Sequence, residues 1–289
     1  MEYSRESLAR QALIKAIEIR RKLSIPADHP VDVYAVCEQL GVTVQFIDIP
    51  SGEGMYWRED GKERILISAY RPLPRKAYTC GHQSGHHLFG HGSTIDELEE
   101  TKGEDKFKPD EFLVDCFAGF LLMPKLAVES AFSSRSWTPA TATSIQIFTV
   151  ACSFGVGYET LIDHMAYSLR LITQAKAKEL KKSNPKIIRQ ELLGRTASSH
   201  LMVVDKKWLF KTIDIEVGYQ LLLPKSVQLE GEAVSFQLDL EEDRLFYASF
   251  QGLVRAHCPE RNWSAFIRIA RSEYIGFSQY RHIEESEDE

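Results

Sequence analysis

The chain contains no uninterrupted apolar run approaching the roughly 18 to 20 residues that a membrane span requires, so no spanning helix is expected. Its N-terminus, Met1-Glu2-Tyr3-Ser4-Arg5-Glu6, lacks the basic start and apolar stretch of a signal peptide. Cysteines are few: Cys37, Cys80, Cys116, Cys152 and Cys258 are odd in number, far apart, and form no C-x-x-C pair. That pattern excludes a disulfide scaffold and points to reduced thiols in a soluble cytoplasmic protein. Metal ligation by Cys80 or Cys116 stays open only because each lies beside a motif described below. Internal repeats are absent, and so is any excess of basic charge. Lys plus Arg is 35 against 41 for Asp plus Glu, a net charge of −6. Such a chain is not built mainly to coat nucleic acid, although a local basic patch still could.

What is there reads as a folded protein. Hydrophobic residues at 44% and charged residues at 26% rule out disorder and collagen-like repeats. A length of 289 residues suggests about two domains. Helical periodicity is expected over residues 6–23 and again over 31–40, ended by Gly41. Val42, Val44 and Phe46 alternate as a strand, and residues 55–58 and 64–68 read as a hairpin. A helix is expected over 77–89, a surface loop over 93–109, and a strongly apolar helix over 110–123, closed by Pro124. Two or three short helices follow in 138–172, with a turn at Phe154-Gly155-Val156-Gly157. The basic stretch 176–186, ending Ser-Asn-Pro-Lys, reads as a linker. Strands are expected beyond it at 200–204, 234–238 and 244–249, with a helix at 263–271. The chain closes on the acidic run Glu284-Glu285-Ser286-Glu287-Asp288-Glu289.

Four of the nine histidines fall between His82 and His91. His82 and His86 lie one turn apart on one helix face, so both imidazoles can reach a single ion. In the pattern H-E-x-x-H the residue after the first histidine is the general base, taking a proton from the attacking water. Here that residue is Gln83, whose amide has no useful basicity. Glu111, on the next helical segment, has the spacing of a third ligand. Asp115, one turn later, can hold a ligating histidine through its other ring nitrogen. The neighbours Phe112, Leu113, Val114, Phe117, Phe120 and Leu121 make this helix a buried one, where an unpartnered carboxylate is expensive. His87 and His91 are alternative ligands. His91 follows His86 by five residues rather than the six of the three-histidine pattern, so it reads better as a supporting residue. His87 points off the metal face.

The stretches Ile65-Leu66-Ile67-Ser68, Tyr78-Thr79-Cys80-Gly81-His82-Gln83-Ser84-Gly85-His86-His87-Leu88-Phe89-Gly90-His91 and Asp115-Cys116-Phe117-Ala118-Gly119-Phe120-Leu121-Leu122-Met123-Pro124 together resemble the ImmA/IrrE metallopeptidases. The family's usual Asn four residues after the ligand Glu is Asp115 here. The resemblance implies an α+β protein with a gluzincin-like, mostly helical metallopeptidase domain holding a small sheet (residues 1–137). It further implies a helix-turn-helix-like segment (138–182), a GAF-like α/β sensor domain (187–283) and the acidic tail (284–289). It also implies a zinc peptidase, with another divalent metal as an alternative. The implied substrate is a DNA-binding transcriptional repressor, cleaved at a specific site in a response to radiation or desiccation. Gln83 therefore reads as an impaired variant, either a natural pseudoenzyme or an engineered one, and the near-isosteric exchange of Glu for Gln favours the second. Met55, Tyr56 and Trp57 are expected at a sheet edge that takes extended substrate.

Two other readings are carried alongside. Residues 151–162 have the cadence of a DNA-reading helix-turn-helix. Its second helix, however, carries Glu159 and Asp163 and no basic residue before Arg170, which argues against phosphate contact. The other reading is a non-catalytic sensor acting through the C-terminal region, where the sequence offers no ligand motif.

Overall fold

The computed structural model describes residues 4–59, 61–97, 107–196, 198–210 and 212–283, and the acidic run at 284–289 lies outside them. Helix α1 (Arg5–Lys22) opens where the Ser4 hydroxyl accepts from the Ser7 amide, and α2 (Val33–Gln39) where Asp32 caps the Tyr34 and Ala35 amides. Strands β1 (Thr43–Ile47), β2 (Gly52–Glu59) and β3 (Lys62–Ser68) follow, then α3 (Leu73–Phe89), β4 (Thr94–Glu97), α4 (Pro109–Leu122) and α5 (Lys125–Ser133). The first sheet has the order β13-β1-β3-β2-β4, where β13 (Gly276–Phe277) comes from the far end of the chain. Helix α3 lies between this sheet and α4, and α1 packs on α4 in turn. The loop expected over 93–109 therefore holds a short strand, with 98–106 outside the described residues.

Next come α6 (Ser144–Phe154), opened by a capping box of Thr143 and Gln146, and α7 (Tyr158–Asp163), which continues as a π-helical turn to Ser168. Gly155 ends α6 at φ 64°, and the two helical segments meet at 101°. Both are apolar because the core covers them, as at Ile147, Val150, Leu161, Ile162 and Met165. No single helix among the described residues is long and apolar enough to cross a membrane.

The stretch expected to be a linker is instead helical. It contains α8 (Gln174–Leu180), capped by Thr173, and α9 (Pro185–Leu193), capped by Asn184. Ser-Asn-Pro here is an N-cap followed by proline at the first helical position, where its missing N–H costs nothing. Ala177, Leu180 and Ile188 are buried, so the basic residues form the outer faces of packed helices.

Beyond α9 the described residues hold strands and two single-turn 3₁₀ helices, whereas an α/β arrangement was expected. Strands β5 (Leu201–Val203), β6 (Thr212–Glu216), β7 (Gln220–Pro224), β8 (Gln228–Glu230), β9 (Val234–Asp239), β10 (Asp243–Ala248), β11 (Gly252–Cys258) and β12 (Trp263–Ala270) make two four-stranded sheets. Their orders are β5-β7-β10-β9 and β6-β12-β11-β8. The inner faces share one core of Ile213, Ile215, Leu221, Leu223, Val254, Ile267 and Ile269. The helix expected over 263–271 is β12. Its Ala265, Ile267 and Ile269 alternate inward with a period of two, which the β-branched residues favour.

The other face of the β5-β7-β10-β9 sheet is covered as well. Leu201, Val203, Leu222 and Leu245 join the core of the helical part, which is why β7 is buried along its whole length. After β12 the chain returns to the first sheet, where Gln45 and Phe46 of β1 pair with Phe277 and Gly276 of β13.

Candidate metal centre

The site begins with two glycines. Gly81 and Gly85 precede His82 and His86 on α3 and face α4. A Cβ at Gly85 would lie 2.9 Å from Val114 Cβ and 3.2 Å from Phe117 Cδ1, and one at Gly81 would lie 3.4 Å from Ala118 Cβ. The helices can approach this closely only because Gly85 has no side chain. That approach brings Glu111 and Asp115 of α4 level with the histidines.

His82 Nε2 and His86 Nε2 are 3.2 Å apart. Glu111 Oε2 lies 3.2 Å from His82 Nε2, and its Oε1 lies 3.7 Å from His86 Nε2. These three residues offer ligand atoms within 4.8 Å of one another, as no other trio of His, Cys, Asp or Glu does among the described residues. The spacing suits zinc: nitrogens about 2.0–2.1 Å from a tetrahedral ion sit about 3.3 Å apart. Three protein ligands leave a fourth position open, which is the arrangement of a catalytic rather than a structural zinc site. The two imidazoles hold the Glu111 carboxyl well below the usual carboxylate range, so it is anionic at neutral pH.

Each histidine is also held from behind. His82 Nδ1 is 2.8 Å from Asp115 Oδ1, which fixes its proton on Nδ1 and leaves Nε2 facing the site. His86 Nδ1 is 2.9 Å from His91 Nδ1. His91 reaches it because Gly90 adopts φ 73° and the His91 amide donates back to the His86 carbonyl at 3.0 Å, a Schellman-type helix end. His91 thus lies beside the trio and supports a ligand, and burial lowers its pKa.

Gln83 is fully buried, and its Oε1 accepts from the Thr94 hydroxyl at 3.0 Å. His87 turns to the other side of α3, with Nδ1 3.1 Å from the Tyr56 hydroxyl and 3.0 Å from Glu63 Oε2. Cys80 lies against Cys37, sulfur to sulfur at 3.6 Å, and burial raises its pKa. Burial also pushes the Cys116 thiol up to about 11. Neither thiol belongs to the trio that could hold a metal.

The strand expected at the sheet edge is an inner one. β2 pairs with β3 on one side and with β4 on the other, Met55 opposite Ile95 and Tyr56 opposite Thr94. Tyr56 is buried, Met55 is half-buried, and Trp57 is exposed beyond the last pair with β4. The sequence could not show this because β4 lies in a polar segment with little alternation. Two more residues at the site were not singled out from sequence. Thr94 carried no signal at all. Asp110, whose Oδ1 is 3.7 Å from His91 Nε2, had only its place beside Glu111 to mark it.

Residues 37–165 match the family model Peptidase_M78, described as the IrrE N-terminal-like domain. A comparison with curated proteins found no match. The matched span runs from α2 through α7 and contains every residue of the centre just described. It supports a metallopeptidase of the ImmA/IrrE type over this stretch, with His82, His86 and Glu111 as the group that fits a metal.

Proposed function

We propose that this chain is a zinc-dependent, site-specific peptidase whose substrate is a DNA-binding transcriptional repressor, acting in a cytoplasmic radiation or desiccation response, and that Gln83 impairs its cleavage step. The carrying observation is the convergence of His82, His86 and Glu111 with an amide at the position that needs a base. A bound zinc ion there would polarise the scissile carbonyl and lower the pKa of water. His82, His86 and Glu111 would hold the ion, and Asp115 would keep His82 in the binding tautomer. Gln83, fixed by Thr94, cannot accept the proton that an attacking water must lose. Of the three β2 residues, we assign substrate contact to Trp57, which is exposed, rather than to the buried Tyr56.

A repressor suits the charge of the chain. A net −6 attracts a basic DNA-binding protein and repels nucleic acid. Direct DNA reading gains nothing from α7, where Glu159 is exposed and Asp163 is paired with Lys181 at 2.7 Å. The test is Gln83→Glu. It should cleave a purified repressor about 10²- to 10⁴-fold faster than the chain as written, with zinc affinity little changed. Full cleavage by the chain with Gln83 in place would overturn the assignment of this position as the base.

A further inference from the structure

We infer that Asp110 and His91 form a tautomer relay that makes His86 competent to bind metal, with His91 as the positioning residue and Asp110 setting its proton. The inference rests on the metal-site reading above. Three groups stand in a line: His91 Nδ1 is 2.9 Å from His86 Nδ1, and the largely exposed Asp110 places Oδ1 3.7 Å from His91 Nε2, a charge contact longer than a hydrogen bond.

Two imidazole nitrogens at that separation share one proton between them, so one ring donates and the other accepts. If His91 Nδ1 donates, neutral His86 carries its own proton on Nε2, the atom that faces His82 and Glu111. It then has no lone pair to offer a metal. If His86 Nδ1 donates, Nε2 is free to bind. The choice is therefore made at His91. A carboxylate facing His91 Nε2 favours the proton there and leaves Nδ1 as the acceptor. Asp115 does the same for His82 directly, at 2.8 Å. The two ligands are thus held in the same tautomer by different means. One carboxylate on α4 acts by contact, and another, one residue before Glu111, acts through an intervening ring.

The arrangement depends on Gly90. Its left-handed turn folds His91 back over the end of α3, and the ring of Phe89 stacks at 6.1 Å on its other side. His91 is mostly enclosed, at 17% side-chain exposure, so its orientation is fixed by packing rather than by the ion.

The test uses the full chain, zinc ion alone as probe, and nitrogen NMR of labelled histidines in the metal-free protein. Without metal, His86 should show a protonated Nδ1 and an unprotonated Nε2. Asp110→Asn should shift it towards the other form. His91→Leu should weaken zinc binding, measured against a chromophoric chelator, by about 10- to 100-fold. His91→Gln, whose amide oxygen can still accept from His86, should recover most of that loss, and the cobalt(II) spectrum should report an unchanged ligand set. Equal zinc affinity in His91→Leu and the parent chain, or a protonated Nε2 on His86 in the parent, overturns the relay. Absence of zinc binding in the parent itself overturns the metal-site reading and the relay together, and is distinguishable because no variant is needed to see it.

Discussion

Gly85 and Gly81 differ by one turn of α3, yet they should respond oppositely to a methyl group. At Gly85 an added Cβ would press on Val114 at 2.9 Å, so Gly85→Ala should cost about 1–3 kcal/mol and move Glu111 off the histidines. At Gly81 the nearest atom is at 3.4 Å, an ordinary contact, so Gly81→Ala should be neutral or gain up to about 1 kcal/mol from helix propensity. Denaturant midpoints and zinc affinity of the two variants check this. If both behave alike, the close approach of α3 and α4 is not what positions the site. His164 offers a second test at this scale. Buried against Phe120 and donating Nε2–H to the Met123 carbonyl at 3.0 Å, it has its pKa lowered by burial to about 4. The folded chain keeps it neutral while the unfolded chain takes up a proton below about 6.5. Its contribution is therefore complete above that pH and is lost as pH falls towards 4, by at most about 3 kcal/mol. Thermal melts over this interval should fall less steeply for His164→Gln than for the parent. An equal fall would assign the loss to other groups.

Among the elements, the end of α3 carries a specific expectation. Gly90 sits at φ 73°, so Gly90→Ala should cost about 1 kcal/mol and also displace His91 from His86, weakening zinc binding without touching a ligand. Unchanged affinity with lowered stability would separate the cap from the site. The two-histidine helix and its glutamate partner were legible because a metal site imposes fixed spacings on residue types that are rare together. Gly85 was visible as a residue, but its role in letting α4 approach is a property of two helices and not of one. In 176–186 the charge and Ser-Asn-Pro hide two helices, because the burial of Ala177, Leu180 and Ile188 that holds them is a property of packing. Residues 263–271 are ambiguous in sequence because a short apolar stretch supports either period. Partner strands decided it, through β11 and β6 on either side. Met55 and Tyr56 read as edge residues in sequence because β4, the strand that pairs with them, is too short and polar to show there.

Taken as a whole, the chain ties its C-terminal sheets to the helix that bears the ligands. Lys76 of α3 is buried and lies 2.5 Å from Glu216 of β6, six residues before His82. Asp214 of the same strand holds both Arg268 and Arg281, and Arg268 reaches Asp32 at the start of α2, 3.1 Å away. A buried pair of this kind contributes little net stability but is costly to break on one side. Lys76→Met should destabilise the chain by about 3–5 kcal/mol, and adding Glu216→Leu should restore most of it, as read by denaturant unfolding. A single variant no worse than the double would show that the interface tolerates an unpaired Glu216. The central claim concerns the metal and is tested most directly by counting it. Zinc measured in the purified chain and in His82→Ala, His86→Ala and Glu111→Ala should be one ion per chain in the parent and be lost or sharply reduced in each variant. Unchanged zinc content across the three variants would contradict the site.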